Sequence, residues 1–210
     1  MKKIFLILPI IASLVLFGCG TTNPNASCDT GVACPLPTTS GQQIQQTSLT
    51  GVAQQTILAI KNKDFATLAT VASSNGVRFT PYENVKPATD IVLSTGQIAN
   101  ALSISAAYTR GNSDGSGLPI DLGIGQYRAQ FVYDVDFATA PIQQWNHITQ
   151  KGNTLNNLET VYANKQIIDY YFTGFDGQYG GADWRSLYLI FDQEAGAWKL
   201  IGVVHGGRTI

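Results

Sequence analysis

Charged residues are scarce in this sequence. They make up 13% of its 210 residues, and the formal net charge is −1. Proteins that bind nucleic acid neutralise phosphates with a stripe of Lys and Arg, and this chain has no such stripe. We therefore expect no nucleic-acid partner.

Metal-binding and cofactor-binding motifs are scarce as well. The two histidines, His147 and His205, lie far apart, and the chain has neither a His-Glu-x-x-His motif nor a P-loop. We expect no metal site and no cofactor. The sequence does not decide whether the protein is an enzyme, but these absences favour a role without catalysis.

Long apolar runs are missing except at the N terminus, where residues 4–17 are mostly apolar and follow Lys2 and Lys3. A transmembrane helix is one interpretation. However, the run is shorter than the about 20 apolar residues that cross a bilayer, and Pro9 interrupts it. A basic start, a short apolar run and a small residue before the cleavage point are typical of a secretory signal peptide, predicted at 1–18.

The stretch Leu16-Phe17-Gly18-Cys19 narrows the kind of signal, because it resembles the bacterial lipobox. The resemblance implies cleavage before Cys19 and a lipoprotein held on a membrane by palmitate-like chains. At least two chains are implied, and two chains anchor a protein stably. Gly20 is not an aspartate, which in a cell with two membranes resembles outer-membrane lipoproteins. We therefore expect the protein to be lipid-anchored on the exported side of the cell membrane or on the outer membrane.

Two cysteines remain once Cys19 carries lipid. Cys28 and Cys34 permit one disulfide in an exported protein. A metal site is the alternative, but two thiols without a nearby histidine make a poor one. So short a loop removes little chain entropy, so the bond would be a local clip.

Composition divides the mature chain into a tether and a domain. Residues 19–46 are rich in Pro, Thr, Ser, Asn and Gln, and their single charge is Asp29. Such a segment buries too little apolar surface to fold. We predict a disordered, lipidated tether at 19–46 and one folded domain at 47–210.

The domain begins with helix patterns. Apolar residues from 49 to 60 recur at three- and four-residue steps, and Asp64 is a favourable N-cap for a second helix ending before Gly76. Ser94 and Gln97 have the spacing of a capping box for a third helix. Other patterns predict strands at 77–79, 106–110 and 118–122 and a short helix near 155–162. Residues 125–134 are ambiguous between helix and strand, and a helix is favoured.

Three strands rich in aromatic and β-branched residues end the chain, at 166–172, 184–191 and 197–205. Their short connections predict an antiparallel meander. Helices followed by such a meander are typical of an α+β fold.

Both ends of the domain resemble one superfamily. The stretch AIKNKDFATLATVASSNGVRFTPY, from Ala59 to Tyr82, is similar to the opening of the NTF2-like superfamily (nuclear transport factor 2, SnoaL, ketosteroid isomerase). Residues 183–210, with Trp198 and His205, are similar to its last two strands, and uncharacterised bacterial lipoproteins carry similar stretches. The resemblance implies an NTF2-like (cystatin-like) cone, with N-terminal helices packed on a curved antiparallel sheet and a pocket at its open end. It implies no single function, because this fold hosts isomerases, dehydratases, hydrolases and binding domains.

Asp169 and His205 are the candidates for catalysis. Asp169 shares a strand face with Ile167 and Tyr171, where burial would raise the pKa of its carboxyl toward that of a general acid or base. Histidine is a common catalytic group near neutral pH. The alternatives are that Asp169 is exposed or pairs with an arginine, and that His205 makes a local hydrogen bond.

Arg78, Tyr171, Trp184 and Arg185 are the candidates for ligand binding. Arg78 faces away from its apolar neighbours and presents the fork that binds anions. The alternatives are that it pairs with a carboxylate and that the aromatic residues belong to the core.

The sequence favours a lipid-anchored cell-envelope protein that binds a small apolar ligand or an envelope partner without catalysis. One alternative is a small isomerase, dehydratase or hydrolase of ketosteroid-isomerase type. It requires that Asp169 and His205 open into one pocket. The other is a structural homodimer, since sheets of this fold often pack face to face.

Overall fold

A computed structural model describes residues 48–104, 108–149 and 155–208. The predicted signal peptide 1–18, the lipidation site Cys19, the tether 19–46 and the Cys28–Cys34 pair lie outside the described residues. Within the described residues, no helix is both long and apolar enough to cross a membrane.

Two capped helices open the domain. α1, Leu49–Asn62, begins where the Ser48 side chain accepts a hydrogen bond from the Gly51 amide. α2, Phe65–Val71, begins at Asp64, whose carboxylate accepts from the Thr67 amide at 3.0 Å. Both helices therefore begin close to their predicted positions. Gly76 comes later than the end of α2, in the turn into the first strand, with φ of 89° and no room for a Cβ beside Leu93 O.

Six strands form the main sheet, in the order β2-β1-β8-β7-β6-β5. The three final strands are β6 (Gln166–Phe172), β7 (Arg185–Glu194) and β8 (Ala197–Gly207), and they pair as the predicted antiparallel meander. The other members are β1 (Val77–Thr80), β2 (Ile91–Leu93) and β5 (Ile142–Trp145). β2 and β5 are absent from the sequence prediction.

The sheet is mixed, whereas the sequence predicted an antiparallel sheet: four of its pairings are antiparallel and one is parallel. β1 runs parallel to β8, with Phe79 opposite Val203. A parallel pair needs a long connection, and most of the domain lies between these two strands. The result is an α+β fold in which the first and last strands are neighbours.

The middle of the domain holds short elements. α3 (Thr95–Ala99) has the predicted capping box, in which Ser94 and Gln97 each accept a hydrogen bond from the other's amide. The other elements are β3 (Tyr108–Asn112) and β4 (Pro119–Leu122), which form a separate two-stranded sheet, α4 (Ile124–Phe131) and α5 (Leu158–Val161).

Residues on β6, β7 and β8 alternate between the two faces of the sheet. Leu187 and Leu189 belong to the same core as α1 and α2, and we call this side the helix face. Tyr188 and Ile190 belong to a second core, and we call this side the covered face. It is covered by the segment 81–90, the residues 146–149 after β5, and α5 with its flanks.

Candidate functional site

An open cleft of about 830 Å³ lies on the helix face, at the end of the sheet formed by the start of β7 and the end of β8. Its volume is within the range of pockets that hold small molecules. Both polar and apolar side chains line it, and they come from four parts of the chain. Tyr82 follows β1, and Asp114 and Leu122 belong to the β3–β4 hairpin. The others are Gln126, Gln130 and Phe131 of α4, Asp134 after α4, and Arg185, His205 and Arg208 at the end of the sheet.

Asp134 lies at the centre of the polar groups in this cleft. Arg185 Nε donates to its Oδ2 at 2.8 Å, and His205 Nε2 lies 3.2 Å from its Oδ1. Burial opposes ionisation of Asp134, but the hydrogen bonds and charges of His205 and Arg185 outweigh it and lower its pKa. Asp134 is therefore an anion at neutral pH, and it orients both partners.

Arg185 is held from two sides. Its Nη1 also donates to the carbonyl oxygens of Trp184, at 2.9 Å, and Asp183, at 3.4 Å. No described residue accepts from its Nη2. A guanidinium fixed in this way can present a donor to a ligand without a large loss of side-chain entropy.

His205 is packed as well as paired. It is 7% exposed, and the rings of Phe131 and Phe137 meet it edge-on at centroid distances of 6.2 and 6.4 Å. An ionised Asp134 accepts a hydrogen bond from the protonated Nε2, which leaves Nδ1 as the second ring nitrogen. This arrangement is the geometry of an oriented imidazole.

The helix α4 positions Phe131 and, just beyond it, Asp134. Arg128 on α4 donates from Nε and Nη2 to the carbonyl of Ile60 and from Nη2 to that of Lys61, at the end of α1. A cation at a helix C terminus satisfies carbonyls that lack helical partners. The contact fixes α4 against α1 and so sets the distance of Asp134 from the sheet.

A second polar group is buried on the covered face. Glu83 is 1% exposed and Asp169 is 0% exposed. Tyr188 donates its hydroxyl to Glu83 Oε1 at 2.5 Å and stands directly opposite Asp169 in the pairing of β6 with β7. We call Glu83 and Asp169 the acid pair.

Burial dominates the electrostatics of the acid pair. Burial, with a smaller contribution from the charge of Asp169, raises the pKa of Glu83 to about 7 against the lowering effect of the Tyr188 hydrogen bond. Burial likewise raises the pKa of Asp169 to about 7. Ser186 lies close enough to lower the pKa of Asp169, but its hydroxyl does not reach full hydrogen-bond geometry.

The structure does not bring Asp169 and His205 together. Asp169 pairs with Tyr188 on the covered face, whereas His205 pairs with Leu187 on the helix face. A catalytic site that uses both residues therefore loses its basis. The pairing of Asp169 with an arginine, given above as an alternative, is absent among the described residues.

Of the four predicted ligand-binding residues, only Arg185 lines the cleft. Arg78 donates to the carbonyls of Pro87 and Asp90, within the β1–β2 connection. Tyr171 and Trp184 are 1% and 3% exposed, and their rings pack against each other. These two aromatic residues are core, as their alternative reading stated.

Sequence reasoning missed Asp134 and Glu83. Asp134 follows a segment ambiguous between helix and strand, and Glu83 lies in a loop after Pro81, so neither belongs to a periodic pattern. The sequence feature that could have pointed to Asp134 is the position of an acidic residue just after the amphipathic stretch 124–131. Glu83 has no comparable signal.

Sequence reasoning also overlooked one motif, which forms a turn in the structure. Residues 111–115 read Gly-Asn-Ser-Asp-Gly, which matches the Gly-x-Ser-x-Gly of serine hydrolases. That motif requires a strand-to-helix turn. Here Ser113 lies in the β3–β4 hairpin, where its amide donates to Leu118 O. The stretch therefore lacks the strand-to-helix turn that the hydrolase motif requires.

The described residues contain no cluster of three or more His, Cys, Asp or Glu side chains that would hold a metal ion. No protein-family model, no curated protein and no solved structure matches the chain. The geometry and chemistry of the cleft are therefore the basis for assigning a function.

Proposed function

We propose that this protein is a lipid-anchored component of a bacterial cell envelope whose folded domain binds a small polar ligand in the cleft, without catalysis. The single observation that carries the binding role is the open cleft with Arg185 and His205 held by Asp134 at its centre. The lipobox-like Leu16-Phe17-Gly18-Cys19 supports the anchor.

We also propose that the domain has the NTF2-like architecture. Two helices open it, a short strand follows, and a meander closes it, in the order that the sequence resemblance implies. The helices pack on one face of the sheet, and the cleft lies on that same face. The sequence resemblance implies a pocket at the open end of such a cone, and an open cleft on the helix face supports this proposal.

The walls of the cleft favour a polar, uncharged ligand over the apolar ligand expected from sequence. The cleft is lined by two arginines, Arg185 and Arg208, and two aspartates, Asp114 and Asp134, so neither sign of charge dominates. Planar polar groups that both donate and accept hydrogen bonds, beside aromatic rings, suit a molecule with several hydroxyl or amide groups. A fragment of a cell-envelope glycan has this chemistry.

Binding is tested with the mature chain in detergent and a panel of soluble glycan fragments, apolar probes and anions. We expect saturable binding of the glycan fragments, lost in Arg185→Met. Lys199→Met is the matched control, since Lys199 lies on β8 away from the cleft and donates to Thr70 O. Binding of apolar probes alone, or of no probe, would contradict the proposal.

The anchor is tested separately. The N-terminal peptide of protein purified from bacterial membranes should begin at Cys19 and carry the mass of attached acyl chains. Cys19→Ala should leave the protein unacylated and should also prevent cleavage before residue 19, so the apolar segment 4–17 should stay attached. A mature chain that begins elsewhere would rule out the lipoprotein.

A second function is favoured by one observation, the His205–Asp134 pair in the cleft. A carboxylate that orients an imidazole is the arrangement of a general base, so a hydrolase or isomerase acting through these two residues is the alternative. A His205→Gln variant that still binds the ligand but loses turnover would establish it. Intact ligand after long incubation with the wild type favours binding alone.

A further inference from the structure

The cleft and the acid pair are built from neighbouring residues. Tyr82 lines the cleft, and the next residue, Glu83, is buried on the covered face. On the strands, Arg185 and His205 line the cleft, and the residues that follow them, Ser186 and Gly206, lie beside the acid pair. Successive strand residues point to opposite faces, so the two groups share the same stretches of backbone. A movement of one group therefore moves the other.

The acid pair has few groups to stabilise its charged form. Among the described residues, no donor makes a full hydrogen bond to Glu83 Oε2 or to Asp169 Oδ1. Glu83 Oε1 accepts from Tyr188 and, at 3.4 Å, from Asn156, and Asp169 Oδ2 accepts from the Thr149 amide, also at 3.4 Å. Two carboxylates buried in this way would each carry a large desolvation cost.

No cation offsets that cost on the described part of the covered face. The buried titratable side chains near the acid pair are three tyrosines: Tyr162, Tyr171 and Tyr188. The titratable side chains Lys86, His147 and Glu159 of the covering segments are exposed. Arg78 and Asp90 contact each other at the far end of the covered face.

The acid pair holds the cover to the sheet. Glu83 belongs to the segment 81–90, which is joined to Asn157 by two hydrogen bonds of 2.8 and 2.9 Å with Val85. Gly206 of β8 lies under Glu83, where an added Cβ would be 3.0 Å from Oε1. The carboxyl of Glu83 thus fits closely between the segment and the strands.

We propose that the acid pair is a proton-operated latch. When Glu83 and Asp169 are protonated, the segment 81–90 is fastened to the sheet, and when they ionise it loosens and takes Tyr82 out of the cleft wall. The latch is a property of the fold and does not require that the cleft bind a ligand.

The direction of the pH effect follows from burial. Both carboxyls have a folded-state pKa near 7, above their ordinary values near 4. The latch is therefore closed at acidic pH and loosens as the pH rises toward and past 7. Tyr188 remains a neutral donor throughout, because burial raises its pKa far above neutrality.

The test uses the full mature chain in detergent, without ligand, between about pH 5 and about pH 9. Infrared spectra with labelled Asp or Glu side chains report the protonated carboxyls. Amide exchange, corrected for intrinsic rates, reports two positions: Val85, whose amide donates to Asn157, and Asp114, whose amide donates to Tyr82 Oη at 3.1 Å.

We expect one Asp and one Glu side chain to titrate near pH 7. Over the same pH range, the exchange protection of both amides should fall together. The fall should be about tenfold for each pKa unit by which loosening of the latch lowers the pKa of the carboxyls. Glu83→Gln keeps an acceptor for Tyr188, so it should remove most of this pH dependence. The matched control is Glu159→Gln, an exposed change on α5 that should keep it.

Three results would overturn the latch. They are the absence of any carboxyl titrating above about pH 6, protection at either amide that does not change with pH, and an unchanged pH dependence in Glu83→Gln. If Glu83→Gln does not fold, Asp169→Asn and the wild-type spectra decide the question in the same way.

Discussion

The two faces of the sheet treat the same chemical group in opposite ways. On the helix face, Asp134 lies between Arg185 and His205, and these partners lower its pKa in spite of burial. On the covered face, Glu83 and Asp169 have hydroxyl, amide and tyrosine neighbours, and burial raises the pKa of both. Cationic partners, more than depth of burial, therefore decide whether a carboxyl in this domain is charged.

Removing a charge from the covered face should give the largest effect. At pH 8 we expect Asp169→Asn to stabilise the domain by about 2 to 3 kcal/mol, measured by chemical denaturation. The shift from 3.8 to about 7 sets an upper value of about 4 kcal/mol, and the amide recovers less than this because it needs partners of its own.

The sign follows from the raised pKa. The contribution of Asp169 to stability is greatest below about pH 4 and falls until about pH 7, and the variant lacks this part of the pH dependence. The control is Asp192→Asn, because the hydrogen bond from Lys165 comes first among the causes that lower the pKa of Asp192. Stabilisation by both variants, or by neither, would remove the contrast between paired and unpaired carboxyls.

Removing the anion from the cleft should give the next largest effect, with the opposite sign. Asp134→Asn leaves Arg185 without its ionic partner, and we expect a loss of about 2 kcal/mol at neutral pH, as for hydrogen bonds to charged groups. Because the folded pKa of Asp134 is lowered, its contribution is present above its ordinary value and fades as the pH falls through the folded value. A loss that is the same at every pH would mean that packing, not charge, holds this network.

Removing one donor from the covered face should have a smaller effect. Tyr188→Phe takes away the hydroxyl that donates to Glu83, and we expect a loss of about 1 kcal/mol and a further rise in the pKa of Glu83. Thermal denaturation and infrared titration measure the two changes. Tyr179→Phe, at a side chain that is 56% exposed, is the control and should change neither.

An exposed ion pair should have the smallest effect. Lys61 and Asp136 approach to 2.7 Å, but both side chains are more than a third exposed. Water and salt screen such pairs, so we expect the melting temperature of Lys61→Met to equal that of the wild type within error. A clearly lower melting temperature would mean that this pair contributes to stability in spite of its exposure, as the Asp134 network does.

Local signals in the sequence predicted much of the fold. The caps at Asp64 and Ser94 and the three final strands appear close to their predicted positions. These features depend on hydrogen bonds and side-chain alternation within a few residues. Hence they can be read without knowing the rest of the chain.

Distant pairings were not predictable in this way. β2 and β5 are three and four residues long, too short for a clear alternation pattern, and they exist because β1 and β6 offer them edges. The cleft is similar: His205 was a candidate from sequence, but its partner Asp134 lies 71 residues away. Glu83 and Tyr188 are 105 residues apart.

The lipobox-like N terminus, the low charge, the helix caps and the meander can be read from the sequence, because each depends on composition or on neighbouring residues. Tertiary packing places Asp169 and His205 on opposite faces, gives Asp134 its cationic partners, and buries Glu83 and Asp169 together. Strand alternation sets which residues share a face, but strand register and the packing of distant segments set which charges meet.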